Sequence, residues 1–180
     1  TSQGLYSVAI GPSAGQSSVG CMSIAFGVAA GITTQGGNSI AMGRWAGRTN
    51  QGPNSIALGW TAGNATQGAN SIAIGQSAGS NTQGADSIAI GANAAFNVQG
   101  ANSIIIGTNA ASSGSGVDSV MIGKNVSVSN VLIQNVVFIG PNAGTAGTVD
   151  GTNSIAIGIN AGKGALGTTN LGRDSIAIGN

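Results

Sequence analysis

Apolar and polar residues alternate in a five-residue unit, Ser-Ile-Ala-Ile-Gly, that recurs along the whole chain. Its Ser place falls at Ser7, Ser23, Ser39, Ser55, Ser71, Ser87, Ser103 and Ser119, each sixteen residues after the last. The step then lengthens. Val136 takes the Ser place after 17 residues, Ser154 after 18 and Ser175 after 21, which makes eleven copies. A period of two predicts a short strand in each copy, with Ile40 and Met42 on one face and Ser39 and Ala41 on the other. β-Branched Ile suits a pleated surface. The closing Gly supplies backbone angles that other residues resist, which makes a corner.

Each copy carries further punctuation. Ala follows the motif Gly after three residues, usually with a second Gly, as in Ala14-Gly15, Ala30-Gly31, Ala46-Gly47, Ala62-Gly63 and Ala78-Gly79. Gln-Gly recurs at Gln35-Gly36, Gln51-Gly52, Gln67-Gly68, Gln83-Gly84 and Gln99-Gly100. Asn or Asp precedes the next Ser at Asn38, Asn54, Asn70, Asp86, Asn102 and Asp118. These pairs supply turn chemistry. Pro12, Pro53 and Pro141 all fall between motifs, where no ladder hydrogen bond is lost.

Sixteen residues are too few for a helix, a strand and two turns, but they fit two short strands and two corners. Such units predict an all-β parallel β-solenoid whose coils stack at the strand spacing of about 4.8 Å, so that eleven coils give a rod roughly 50 Å long. The chain reads as one repeat domain over residues 1–180, with regular coils over 1–123 and longer, irregular coils over 124–180. Stacking predicts an Ile column, an Ala column and amide ladders of Asn and Gln along the axis. The second and fourth motif places, and Phe26 in a fourth place, are expected to point inward against small residues such as Ala62 and Ala78. The third place is then expected to point outward.

That third place holds Ala9, Ala25, Ala41, Ala57, Ala73, Ala89, Ile105, Met121, Phe138, Ala156 and Ala177. An outward apolar column of this length exceeds the few hundred Å² that monomers ordinarily expose. It is therefore expected to be the interface with other copies of the chain, its larger members marking a wider gap between them.

The motif Asn70-Ser71-Ile72-Ala73-Ile74-Gly75, with Ala78-Gly79 behind it, resembles the head repeat of trimeric autotransporter adhesins, of which YadA is the type member. The resemblance runs through most copies and implies a left-handed parallel β-roll, a side-by-side homotrimer and adhesion to host matrix or to other cells. The repeat here is longer than the family's usual one, and such longer repeats look like those of large-DNA-virus surface proteins and phage fibres. A bacterial adhesin head and a virion attachment fibre both remain open, and either implies an extracellular place, on a cell surface or a virion. No starting Met, signal peptide, coiled-coil stalk or membrane anchor is visible, so the chain reads as an excised portion of a longer protein.

Composition narrows the chemistry. Charged residues are 5% of the chain, the net charge is +1 and His is absent. That gives no electrostatic footprint for nucleic acid. No run of 18 apolar residues predicts a membrane span, and direct membrane insertion is not expected. General acid–base work would fall on Asp86, Asp118, Asp150 or Asp174, three of which occupy the Asn turn place. Gly123-Lys124 and Gly162-Lys163 lack the rest of a phosphate loop. No metal-ligand cluster or Ca²⁺-binding nonapeptide is present, and no cofactor, metal or catalytic residue is expected. Cys21 has no second Cys to pair with in the chain.

Two tryptophans, Trp45 and Trp60, stand in adjacent coils just after the motif glycines, with Arg44 and Arg48 beside them. A corner aromatic next to a guanidinium suits a sugar ring or a protein surface, so these four residues are the candidate binding site for a host glycan or matrix protein. Two non-adhesive alternatives are an ice-binding face and a structural spacer. Thr34, Thr66 and Thr82 fit the former, while Asn50 and Val98 interrupt it.

Overall fold

The computed structural model describes residues 2–126, 134–144, 152–163 and 173–179. They form a parallel β-solenoid with two sheets. An eleven-stranded sheet runs from Val8–Ile10 to Ile176–Ile178, one three-residue strand per motif, and a seven-stranded sheet of two-residue strands runs from Ser2–Gln3 to Val98–Gln99. Every pairing is parallel. Ile72, Ala73 and Ile74 lie opposite Ile88, Ala89 and Ile90, and Gln83 lies opposite Gln67 and Gln99.

This register stacks each residue on its equivalent, and that explains the glycines. An added Cβ on Gly59 would lie 2.7 Å from the Gly75 carbonyl oxygen of the next coil, and φ there is +131°. At the opposite corner a Cβ on Gly68 would lie 2.6 Å from the Gly84 carbonyl carbon. Both corners bring backbone against backbone, which only Gly permits.

The inward and outward faces are the reverse of the sequence expectation. The third motif place is the core: Ala25, Ala41, Ala57, Ala73, Ala89, Ile105, Met121 and Ala156 are 0% exposed, and Phe138 is 2% exposed. Ala9 and Ala177 are half-buried. The nine buried residues pack within their own chain and are not an interface, and Ala9 packs against the same core. The second and fourth places point outward, and Phe26, aligned with Ile10 and Met42, is 48% exposed rather than core. The physical reason is width. The tight corners bring the two sheets so close that the space between them takes one Ala and one longer side chain, not two Ile.

The longer side chain is Gln. Gln35, Gln51, Gln67, Gln83 and Gln99 are buried and reach across the roll, where each Nε2 donates to a motif carbonyl; Gln67 donates to Ile56 at 2.7 Å. They do not form the amide ladder expected of them. Each Gln oxygen lacks a hydrogen-bond partner. In the coil of Gln67 it occupies the place a Cβ on Gly63 would fill, 2.7 Å away. A glycine Cα–H against that oxygen is a weak donor that softens the cost. Buried Ser55, Ser71 and Ser87 donate their hydroxyls to the carbonyls of Gly52, Gly68 and Gly84.

Core volume is balanced in the coils whose two core places are both described. Ala57 shares its coil with Gln67, and Ala73 with Gln83. Where the Gln place holds Ser115, the third place holds the larger Ile105. Where Phe138 fills the third place, its ring lies against Gly144, as the Gln oxygen does against Gly63. Ile105 and Phe138 therefore record a change of internal partner, and Met121 is buried within the chain like them, so the three mark no gap between chains.

Ala57→Ile should cost about 1–3 kcal/mol by overpacking, and adding Gln67→Ser should recover much of that loss, as at Ile105 and Ser115. Urea melts of both single variants and the double variant measure the coupling. Additive losses would show that the two places do not share one volume.

Candidate functional site

The corner between the motif Gly and the short sheet positions the candidate residues. Its third residue is left-handed in coil after coil: Trp45 has φ 61°, Thr61 56°, Ser77 55° and Asn93 55°. Asn tolerates this conformation well and a bulky residue poorly. At Asn93, Asn109, Asn125, Asn142 and Asn160 the corner carries an amide ladder, with Asn93 Nδ2 donating to Asn109 Oδ1 at 3.0 Å. Trp45 stands in the same column without that reward, so the fold does not explain its choice.

Trp45 is half-buried and its indole carries two guanidinium groups. Arg44 lies 4.2 Å from the ring centroid and Arg48 5.8 Å. Such contacts at exposed sites contribute about 0.5–1 kcal/mol each. The Trp45 carbonyl accepts from Asn64 Nδ2 at 3.0 Å, which ties the corner to the next coil. Trp60 lies one coil on, in the column of Arg44, and is 50% exposed. The structure thus gathers Arg44, Trp45 and Arg48 into one stack and leaves the Trp60 ring open beside it. Both arginines are exposed, and among the described residues neither makes an ion pair.

The carboxylates take the places the sequence suggested. Asp86, Asp118 and Asp174 accept from Asn70, Asn102 and Asn153 at 2.9, 3.0 and 2.9 Å, each in the left-handed turn place before the motif. A carboxylate accepts but cannot donate, so each Asp ends a run of the ladder. Asp150 lies outside the described residues. No group of three or more His, Cys, Asp or Glu that could hold a metal occurs among the described residues. Cys21 is free and exposed.

Sequence reasoning missed a surface feature that runs along the long sheet. The second and fourth motif places put two columns of aliphatic side chains on the outer face of the long sheet, including Ile40, Ile56, Ile72, Ile74, Ile88, Ile90, Ile104 and Ile106, all half-buried at most, with Met42 and Leu58 more open. The signal that could have found it is size: Ser in the first place and Ala in the third share a face, and both are small enough for a narrow interior while Ile is not.

These features define a parallel β-solenoid with an aliphatic flank and a cationic–aromatic corner. Two copies of the YadA head domain repeat match the chain, at residues 51–78 and 67–94, a stretch that includes Trp60 and the flank from Ile56 to Ile90. No curated protein matches it.

Trp45→Asn should leave the melting temperature unchanged or raise it, because relief of left-handed strain of about 1–2 kcal/mol offsets the lost ring contacts. A calorimetric melt checks this. A drop of several degrees would make Trp45 a structural cover for the corner.

Proposed function

We propose that this chain is a non-enzymatic attachment module: a rigid rod, displayed outside a cell or on a virion, that works as a side-by-side homotrimer of left-handed rolls. The observation that carries this reading is the aliphatic flank. Two columns of large apolar side chains on one sheet of eleven strands make a patch well above what a monomer ordinarily leaves in water. The match to adhesin head repeats supports the same use, and the flank replaces the Ala column as the proposed contact between copies.

In this reading the corner of Arg44, Trp45, Arg48 and Trp60 is the ligand site for a host glycan or matrix protein. It lies off the flank and stays accessible when copies pack together. An open indole beside two unpaired guanidiniums favours a ring-bearing ligand with an anionic group. Three copies on one rod convert a weak single contact into firm attachment by effective concentration.

Ile74→Lys with Ile90→Lys places charge on the flank and leaves the core untouched. Sedimentation should show the unchanged chain as a trimer and the variant as a monomer or aggregate, with host-cell attachment lower by about 10²-fold through lost avidity. A stable, monodisperse monomer of the unchanged chain would remove the assembly reading. Independently, Trp60→Ala and Arg48→Ala should weaken binding to acidic glycans on an array by about tenfold, the scale of an aromatic or charged hot spot. Equal binding by both variants would clear that corner of any role.

A further inference from the structure

The short sheet ends at Val98–Gln99, and its end opens a groove. Asn81 and Thr82 donate their backbone N–H groups to the carbonyls of Phe96 and Asn97 in the next coil, at 3.1 and 2.9 Å. One coil further, among the described residues, these two rungs are not repeated. Gly114 N–H instead turns back to the Ala111 carbonyl at 2.9 Å, and only an isolated bridge joins Gln99 to Ser115. The backbone at 111–114 closes a turn on itself, and the Asn97 side chain reaches across to the Ser112 carbonyl at 3.1 Å. The result is a hollow of about 350 Å³ lined by Asn93, Phe96, Asn97, Asn109, Ser112 and Ser113.

The lining has a specific chemistry. Phe96 is 36% exposed and offers an apolar ring. Around it stand three amides, held by bonds from Asn81 to Asn97 and from Asn93 to Asn109, both 3.0 Å. The Ser112 and Ser113 hydroxyls have no partner among the described residues. No charged side chain lines the hollow. An apolar plate ringed by fixed amides and free hydroxyls matches a pyranose, which has an apolar C–H face and a polar hydroxyl rim. The volume lies at the low end of small-ligand pockets.

We infer that this groove is a binding subsite for a neutral saccharide, distinct from the cationic Trp45 corner. It deepens the attachment reading and rests on it only for biological purpose, because one chain supplies every residue. It lies on the same edge of the roll as Trp45, three coils along, which is about 14 Å at the strand spacing, and clear of the aliphatic flank. A linear glycan lying along the axis would meet both places.

The test is saturation-transfer NMR on the full chain with neutral manno-, cello- and N-acetylchito-oligosaccharides, and sialyllactose as an acidic comparison. At least one neutral probe should bind, Phe96→Ala should weaken it about tenfold, and Ser113→Tyr, which fills the hollow while leaving Phe96 in place, should abolish it. Cys21→Ser, an exposed change outside both candidate sites, should leave that binding unchanged. No binding by any neutral probe, or equal binding by Phe96→Ala and Ser113→Tyr in chains that melt normally, overturns the proposal. Retained host-cell attachment alongside either result would sink the groove and leave the attachment reading standing.

Discussion

Every position in this solenoid must tolerate a copy of itself, or a near copy, one strand spacing away. The backbone ladder imposes that constraint, and each column answers it differently. Gly59 and Gly75 meet backbone to backbone, so neither has room for a side chain. Asn succeeds because one amide both donates and accepts, so Asn54, Asn70 and Asp86 bond in series. The Asp at the end shows the rule by breaking it: with no proton to give, it closes the run. Stability built this way is shared between neighbouring coils rather than held in one centre.

The second constraint is the narrow interior, and it decides what was legible in the sequence. The sixteen-residue spacing and the turn residues made the coils and their corners readable from the chain alone, because they are local signals. The face assignment was not. A period of two says that Ile40 and Met42 share a face, but it does not say which face is inside. The usual preference for large apolar residues within then misled, since the corners leave no room for them. Ser in the first place and the exchange of Ala plus Gln for Ile105 plus Ser115 carried the answer, but only once both walls were known to share a volume. Phe26 was misplaced for the same reason.

The candidate sites divide along the same line. Arg44, Trp45 and Arg48 could be linked from sequence because they lie within a few residues of one another on a single corner. That Trp45 sits in a left-handed conformation was not visible, since it follows from the corner's stacking on its neighbours. The Phe96 groove was not visible either. It is made where, among the described residues, Asn97 and Val98 do not repeat the two backbone rungs of the coil before, and no residue type announces where a sheet stops. A buried Ser115 hydroxyl without a partner marks the same discontinuity from inside.

A core of Ala, Ser and Gln buries little apolar area per coil, while ordering sixteen residues costs conformational entropy whatever their size. The large aliphatic groups that could offset this cost stand on the outside. Removal of that flank from water would add burial at every coil at once, at about 25 cal/mol per Å² of apolar surface. Folding and association would then be linked, with the assembled rod more stable than its separated chains by mass action. In that arrangement the narrow interior fixes the register and the outer flank supplies the driving force. The corners, which neither the core nor the flank requires to be uniform, are then where the chain can vary, and that is where Trp45, Trp60 and Phe96 stand.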